Sequence, residues 1–319
     1  PLLPVKGKRL FTFHDLAFFK LPETFTFGSR LIKQFFTRWG VARAAAIICV
    51  SHNTRRDLLE KYPFLDKDKV QVIHLAGEPP PEKQEKLTQG TLSKANLIKE
   101  DSTRDSADKE DSKKQKSAKQ KLAQEENILK KYGIYSKFIL AVGTLEPRKN
   151  IGVLLDAYKE LIKISDIPHN LVICGKKGWK YSEVLDKINQ PDLKGRVIIT
   201  GYVPHEFLPV FYRQADLFVY PSLYEGFGLP PLEALSHGGP VITSNAASLP
   251  AVVGDAALTF EPNDVHALTQ LMLKALTDEK LRNSLREKSP RRAAQFSWKI
   301  TAEKTIELYR QLLKKEEAN

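Results

Sequence analysis

The stretch Tyr220-Pro221-Ser222-Leu223-Tyr224-Glu225-Gly226-Phe227-Gly228-Leu229-Pro230-Pro231-Leu232-Glu233-Ala234 decides the reading of this chain. An apolar run ends at Tyr220, and a helix pattern starts at Leu229, with Pro230 and Pro231 in a first turn that tolerates proline. Between them, Gly226 and Gly228 let the backbone approach a ligand closely and take dihedrals that other residues avoid. A helix start offers unpaired N–H groups and partial positive charge, a natural seat for an anion such as phosphate. Glu225 lies in the loop at the strand end and Glu233 about one turn inside the helix. Both can accept hydrogen bonds from the hydroxyls of one ligand. Hydroxyl acceptors beside an anion seat point to a sugar nucleotide. The plainer alternative makes Glu225 a loop charge and Glu233 a surface helix residue, but the paired glycines between strand and helix favour the binding site.

The same setting recurs at Ala141-Val142-Gly143-Thr144-Leu145-Glu146-Pro147-Arg148-Lys149-Asn150. Arg148 brings a planar fork suited to phosphate oxygens, and Lys149 a compact point charge. Asn150 is placed to cap the helix that follows. Two adjacent cations at the carboxyl end of a strand would neutralise a departing diphosphate without a metal. A lone Arg-Lys pair is more often a solvated turn, and it is the position after a buried strand that argues for binding.

Outward from these two loops, apolar runs alternate with helical patterns. After residue 131, strands are expected over 138–142, 170–174, 197–200, 217–220, 241–244 and 257–260. Helices are expected over 151–164, 182–189, 206–214, 229–236, 265–277, 279–288 and 298–313. Before residue 78, strands at 10–13, 46–50 and 70–75 alternate with helices at 29–45 and 53–61. Continuous apolar strands between helices mark parallel sheets covered on both faces. The expected fold class is α/β, with two doubly wound, Rossmann-like domains, the first one truncated. Ligands in such sheets bind at the carboxyl ends of the strands. Residues 78–131 differ in kind, opening Glu78-Pro79-Pro80-Pro81-Glu82 and continuing in mixed charge with almost no aromatics. Such a segment cannot offset its ordering entropy by burial and reads as a mobile linker, at most transiently helical near its end.

The composition bounds the function. With 42% hydrophobic and 28% charged residues in 319, the chain is not disordered throughout. Its two cysteines, Cys49 and Cys174, sit far apart in apolar runs, which excludes a disulfide framework or a Cys-based zinc site and fits a reducing compartment. His52, His74 and His237 have no metal-ligand spacing, and no metal is expected. No stretch approaches the roughly 18 apolar residues of a membrane span, and no signal-peptide pattern opens the chain. A cytoplasmic location is the expectation. The sole methionine is Met272, while 10–13 already reads as an interior strand, so sequence upstream of Pro1 is expected. The net charge of +12 is uneven: residues 1–77 hold 13 Lys and Arg against 6 Asp and Glu. That surplus suits peripheral contact with an anionic membrane, whereas the near-balanced charge of 78–131 argues against a nucleic-acid partner.

Taken together, Glu146-Pro147-Arg148-Lys149-Asn150, Gly201-Tyr202-Val203-Pro204, the Ser222 to Leu229 run, the Glu225-(seven residues)-Glu233 spacing and Asn245-Ala246-Ala247-Ser248-Leu249-Pro250 resemble the group 1 family of retaining glycosyltransferases (family 4, GT-B fold), in particular its bacterial mannosyltransferase-like branch. The resemblance covers residues 10–77 and 132–313. It implies that Arg148 and Lys149 hold the donor diphosphate, that Glu225 binds the donor sugar and that Glu233 binds the ribose. Backbone at Phe227, Gly228 and Leu229 would touch sugar and phosphate. The loop from Gly175 and the backbone near Val203 would flank the base, with Gly143 opening the diphosphate loop. His14, after the first strand, resembles the family histidine that faces the donor sugar. An imidazole there can orient a sugar hydroxyl, although Asp15 capping the next turn beside a packed His14 is the plainer alternative. Arg55 and Arg56 could meet an acceptor phosphate or form a solvated helix face.

The resemblance implies the domain scheme: 1–77 as a partial acceptor-side domain, 78–131 as the linker, 132–297 as the nucleotide-sugar domain and 298–319 as a helix returning toward the first. It implies no cofactor beyond the donor, with GDP-mannose the expected nucleotide sugar, and a saccharide or lipid-linked saccharide as acceptor. Two features depart from the family pattern: the glycine-rich loop of the first domain is absent, and Ala251 stands where Glu is common. Two rival functions follow, a nucleotide-sugar-binding but inactive fragment and a basic anionic-lipid-binding module.

Overall fold

Two continuous apolar runs, one around Cys49 and one around Leu140, seed two parallel sheets. The computed structural model describes residues 7–77 and 107–317. The first sheet has strand order β1-β2-β3, from β1 (Leu10–Phe13), β2 (Ala46–Cys49) and β3 (Val70–Val72). Between β1 and β2 run a short helix α1 (Ala17–Lys20) and the long α2 (Phe27–Arg43). Helix α3 (His52–Lys61) links β2 to β3, and the Ser51 hydroxyl caps it by accepting from the Thr54 N–H at 3.0 Å. Leu16, Phe18, Val41, Ile47, Cys49, Leu58 and Val70 form the core on one side of this sheet.

The segment read as a mobile linker is corrected in its second half. Residues 107–131 form helix α4 (Ala107–Lys131), and 78–106 lie outside the described residues. Ala, Lys, Glu and Gln dominate this stretch, so helix propensity supplies what an apolar periodicity does not. Its last turns are anchored: Arg213 donates to Glu125 at 2.6 and 3.0 Å, Gln214 donates to it at 2.6 Å, and Leu129 is buried in the core of the second sheet. The second unit therefore begins inside α4, before residue 132.

The second sheet has order β6-β5-β4-β7-β8-β9, all parallel. Its strands are β4 (Phe138–Val142), β5 (Asn170–Cys174), β6 (Val197–Gly201), β7 (Leu217–Tyr220), β8 (Val241–Ser244) and β9 (Ala257–Phe260). They alternate with α5 (Ile151–Ile164), α6 (Ser182–Ile188), α7 (Leu208–Gln214), α8 (Leu229–Ser236), α9 (Leu249–Val253) and α10 (Val265–Thr277). Helix α11 (Glu279–Ala293) runs on through Pro290, five residues past the end expected from the sequence. Successive residues of β4 enter opposite cores, Leu140 packing with Val172 and Phe218, Ile139 with Leu154 and Tyr158. Burial on both faces is what a parallel sheet requires.

The final helix α12 (Trp298–Glu317) crosses back to the first sheet. Leu308 is buried with Ala46, Ile48 and Ile73, and the Thr301 hydroxyl donates to the His74 carbonyl at 2.7 Å. One face of the first sheet is thus covered by its own helices and the other by the far end of the chain.

Candidate active site

In the second sheet the strand order reverses at β4, which pairs with β5 on one side and β7 on the other. The loops after β4 and β7 leave in opposite directions and open a crevice there. Arg148 and Lys149 come from the first loop and Glu225 from the second. Lys149 Nζ lies 2.6 Å from Glu225 Oε1 and 2.6 Å from the Tyr220 hydroxyl, and Arg148 Nη1 lies 3.0 Å from Glu225 Oε2. Ser222 and Tyr220 hydroxyls donate to the same Oε1 at 2.7 and 3.0 Å. Glu146 takes the other side of the Arg148 fork, at 2.7 Å from Nη2 and 3.1 Å from Nε. A backbone bond and a side-chain bond fix the two loops together, Leu223 N–H donating to the Arg148 carbonyl at 2.9 Å and Arg148 Nη1 to the Tyr224 carbonyl at 3.0 Å.

This cluster is buried, so its charges depend on one another. Burial pushes Glu225 toward its neutral form, yet Lys149 and Arg148 outweigh that and hold its carboxyl below the ordinary value. Burial likewise disfavours the Arg148 cation, and Glu225 and Glu146 reverse the effect and raise it. Burial, then Glu225, drives the Tyr220 hydroxyl well up, so it stays a neutral hydrogen-bonding group. Two cations and two carboxylates thus face each other at the switch point. A diphosphate entering there would share Arg148 and Lys149 with these carboxylates, and hydroxyls of an attached sugar would meet the Glu225 oxygens.

The first unit closes on this turn. A Cβ on Gly226 would lie 1.6 Å from the His14 carbonyl oxygen, so only glycine lets the two loops touch. The Thr54 hydroxyl donates to the Gly226 carbonyl at 3.1 Å, and the Tyr224 hydroxyl to Asp57 Oδ2 at 2.6 Å. His14 is itself exposed, so its main chain makes the contact, while Asp15 accepts from the Ala17 N–H at 3.1 Å and caps the next turn. The acidic turn is also held from below, where the Ser248 hydroxyl reaches the Glu225 and Phe227 carbonyls at 2.8 and 2.7 Å.

The anion seat at α8 is narrower than a helix start usually provides. Gly228 takes a left-handed φ of 110°, but Pro230 and Pro231 carry no N–H. The donors left around this turn are the backbone of Phe227, Gly228 and Leu229. The Phe227 ring is buried, 5.7 Å from His74 and 5.6 Å from Phe296. Beside it a cleft of about 690 Å³ opens between the units, lined by Ser51, His52, Arg56, His74, Ser248 and Arg292 among others.

The remaining sequence candidates fall around this centre. Gly143 donates its N–H to the Cys174 carbonyl at 2.8 Å, and Gly175 to the Gly201 carbonyl at 2.9 Å, so the loops after β4, β5 and β6 are tied edge to edge. Val203, just past β6, is buried in the core. Glu233 stands apart from Glu225 in its partners, accepting from the Tyr212 hydroxyl at 2.8 Å. Asn150 does not cap α5; it sits in the left-handed region at φ 55°, and its side chain donates to the Pro262 carbonyl at 2.7 Å. Arg55 is absorbed structurally, bonding the Val70 and Lys67 carbonyls at 3.0 and 3.2 Å, whereas Arg56 pairs with Asn53 and Asp57 at the surface. Sequence reasoning assigned no role to Glu146, Tyr220, Ser222, Tyr212 or Ser248. Tyr220 and Ser222 carry a signal, since they flank the end of a buried strand next to Glu225. Ser248 lies inside the quoted 245–250 motif, without a role read from it, and Tyr212 lies in no motif and carries no signal.

A parallel sheet with paired cations and an acidic glycine turn at its switch point, closed by a second Rossmann-like unit, defines the GT-B class of nucleotide-sugar enzymes. The family model "Glycosyl transferases group 1" matches residues 124–292, and "Glycosyltransferase Family 4" matches residues 4–76. The chain belongs to the group 1 glycosyltransferases. It is 42% identical over 186 residues to O-antigen chain mannosyltransferase B of Escherichia coli, covering 58% of this chain and 49% of that one. It is 36% identical over 190 residues to the serotype-specific mannosyltransferase WbdA of Escherichia coli, covering 59% of this chain and 23% of that one. The chain thus spans about half or less of these relatives. Among solved structures, a glycosyltransferase from Rickettsia africae superposes with TM-score 0.67 at 19% identity, covering 96% of this chain and 70% of that one. WaaG, a glycosyltransferase involved in lipopolysaccharide biosynthesis, superposes with TM-score 0.66 at 18% identity, covering 95% and 75%. HepE of Anabaena, in complex with UDP and glucose, superposes with TM-score 0.65 at 18% identity, covering 94% and 71%.

Proposed function

We propose that this protein transfers a hexosyl group, mannosyl from GDP-mannose, to a saccharide or lipid-linked saccharide in glycan biosynthesis, retaining the anomeric configuration and using no metal. The observation that carries the reading is the convergence of Arg148, Lys149 and Glu225 within direct contact at the switch point of the second sheet. The two mannosyltransferase relatives support the mannosyl group, and GDP-mannose is the donor proposed with it. A cytoplasmic site of action fits two buried thiols, which burial pushes up to about 12 and so keeps unreactive.

In the transfer, the bond between the sugar C1 and the diphosphate oxygen breaks, the acceptor oxygen bonds to C1 and loses its proton, and the nucleoside diphosphate departs. Negative charge grows on the departing diphosphate, so groups fixed there before reaction stabilise the transition state more than the ground state. Arg148 and Lys149 supply the opposing positive charge, and the N–H groups of Gly228 and Leu229 would add donors to it. Glu225 orients the sugar by its hydroxyls, and as the diphosphate engages the cations the carboxylate is freed to do so. Glu233, held by Tyr212, grips the ribose. His14 faces the sugar from the first unit, and the 690 Å³ cleft beside Phe227 gives an acceptor room. Retention demands attack from the face the diphosphate leaves, or two successive inversions.

A thermal-shift series with GDP-mannose, UDP-glucose, ADP-glucose and dTDP-glucose tests the donor, with the largest stabilisation expected from GDP-mannose. GDP release in the presence of mannan oligosaccharides tests the reaction, and the anomeric proton signal of the product tests retention. Lys149→Ala and Glu225→Ala should each reduce release by about a hundredfold or more, the usual loss when one preorganised electrostatic contact is removed. Stabilisation by GDP-mannose without release would leave a binding protein, and release indifferent to both substitutions would overturn the site.

A further inference from the structure

The arginines of Ser51-His52-Asn53-Thr54-Arg55-Arg56 are what this motif offers an anionic acceptor, yet the face that α3 turns to the second unit carries Thr54 and Asp57 instead. The two stand three residues apart on one side of the helix, and both are buried, at 0 and 2% exposure. The Thr54 hydroxyl donates to the Gly226 carbonyl at 3.1 Å, and Asp57 Oδ2 accepts from the Tyr224 hydroxyl at 2.6 Å. Residues 224 and 226 are the two neighbours of Glu225. One helix of the first unit therefore grips the acidic turn on both sides of its carboxylate.

Asp57 is a buried carboxylate with partners on both sides of the seam. Three belong to its own unit: Asn53 Nδ2 at 3.0 Å, Lys20 Nζ at 3.3 Å and Arg56 Nη2 at 3.5 Å. The Tyr224 hydroxyl is nearer than any of these and comes from the other unit. Burial, then the hydrogen bond to Asp57 and its charge, push that hydroxyl far up, so it stays a protonated donor. A buried polar pair of this kind costs more when left unmade than it returns when made, and so it specifies one fit of the two surfaces. Tyr224 passes the constraint on. Its carbonyl accepts from Arg148 Nη1 at 3.0 Å and from the Ser222 hydroxyl at 3.3 Å, and both of those groups also touch Glu225. The contacts of Trp179 and Lys180 with the Thr24 and Glu23 carbonyls, by contrast, involve no residue of the charged cluster.

We propose that Asp57 is a positioning residue for the transfer. Acting through the Tyr224 hydroxyl, and together with Thr54 on Gly226, it sets the acidic turn so that Glu225 and Arg148 meet the donor in reactive geometry. It does so without touching a reacting atom. The inference rests on the sugar-transfer reading of the cluster, and adds that the first unit tunes that cluster from across the seam.

Two variants of the full chain test it. Asp57→Ala removes the carboxylate, and Tyr224→Phe removes only the hydroxyl, leaving Asp57 its partners in the first unit should the other variant fail to fold. Each should lower kcat for GDP release by about tenfold, while the KM for GDP-mannose and the donor-induced thermal shift stay unchanged. A contact that merely stabilised the fold would lower the melting temperature without separating kcat from KM. The double variant should be no slower than the slower single one, since both losses act through one bond. Hydrogen exchange of residues 221–229 gives a readout independent of turnover, and in Tyr224→Phe it should quicken by about tenfold while strand 138–142 keeps its protection. Unchanged kcat, additive losses or unchanged exchange in the turn would each overturn the proposal. A wild-type chain that releases nucleotide from none of the donors would instead overturn the sugar-transfer reading, and the exchange measurement would still decide whether Asp57 sets the turn.

Discussion

The two sheet units dispose of their apolar residues in opposite ways. In the second unit six parallel strands are covered on both faces by helices of the same unit, and Leu154, Leu155 and Tyr158 are fully buried. Buried Glu146, Ser222 and Glu225 are paired with Arg148 and Lys149 in a cluster at its switch point. In the first unit three strands are covered on one face by local helices and on the other by α12, and its longest local helix shows large apolar side chains to solvent. The second unit is built to hold a rigid charged site, whereas the first depends on contacts made elsewhere. Stability should be distributed accordingly, with low-energy opening concentrated in the first unit.

The sharpest way to break this comparison is to delete equivalent side chains from each unit. Leu154 is wholly buried on α5, and Leu154→Ala should destabilise by about 3 kcal/mol, the usual range for a leucine removed from a packed core. Leu31→Ala on α2 should change stability by less than about 0.5 kcal/mol. Urea denaturation midpoints of the two variants give the answer. Comparable losses would mean that α2 is packed against something in solution and that the contrast between the units is false.

A somewhat smaller effect is expected at the seam where the units meet. Gly226→Ala introduces a methyl group at the His14 carbonyl, a clash with backbone that no side-chain rotation relieves. The two loops must separate by an ångström or more, and a displacement of that size at a reacting centre costs about a hundredfold in rate. Transfer, followed as GDP release, should fall by about that factor, while the donor-induced thermal shift survives because Arg148, Lys149 and Glu225 all belong to the second unit. Undiminished transfer would show that contact between His14 and the turn plays no part in the reaction.

Much of the second unit was legible because each of its strands is a continuous apolar run with a sharp edge. The run 138–142 has a single reading as a buried parallel strand, and its observed limits coincide with that reading. The 107–131 helix was not legible, since a polar stretch offers composition but no periodicity, and its anchor at Glu125 depends on Arg213, 88 residues away. The short helix α9 hides in Leu249-Pro250-Ala251-Val252-Val253, too brief for a period to show. At the site, the residue types and their loops could be read, but not their mutual pairing. Nothing in a sequence tells whether Lys149 points at solvent or at Glu225. The role of Glu146, two residues before Arg148, was missed for the same reason, as was the left-handed backbone of Asn150, which stands at the N-cap position but turns its side chain to the Pro262 carbonyl.

The least conspicuous contrast concerns protons beneath the donor site. His237 stacks on the Tyr212 ring at 5.7 Å, and its Nδ1 is buried with no hydrogen-bond partner. Burial, aided by Arg213, lowers its pKa from 6.5 to about 4. Between those values the unfolded chain binds a proton that the folded chain refuses, so stability should fall as pH drops from 6.5 toward 4, by at most about 3 kcal/mol. Glu225 acts in a different window. Its folded pKa is depressed below 4.5, so its stabilising contribution is complete above that value and fades only below it. Thermal unfolding recorded from pH 7 to pH 3.5 separates the two: His237→Phe should flatten the upper part of the profile, and Glu225→Gln the lower part. A His237→Phe profile that keeps its full slope between pH 6.5 and 4.5 would show that the imidazole titrates freely, and that the floor of the second unit is as open to water as the face of α2.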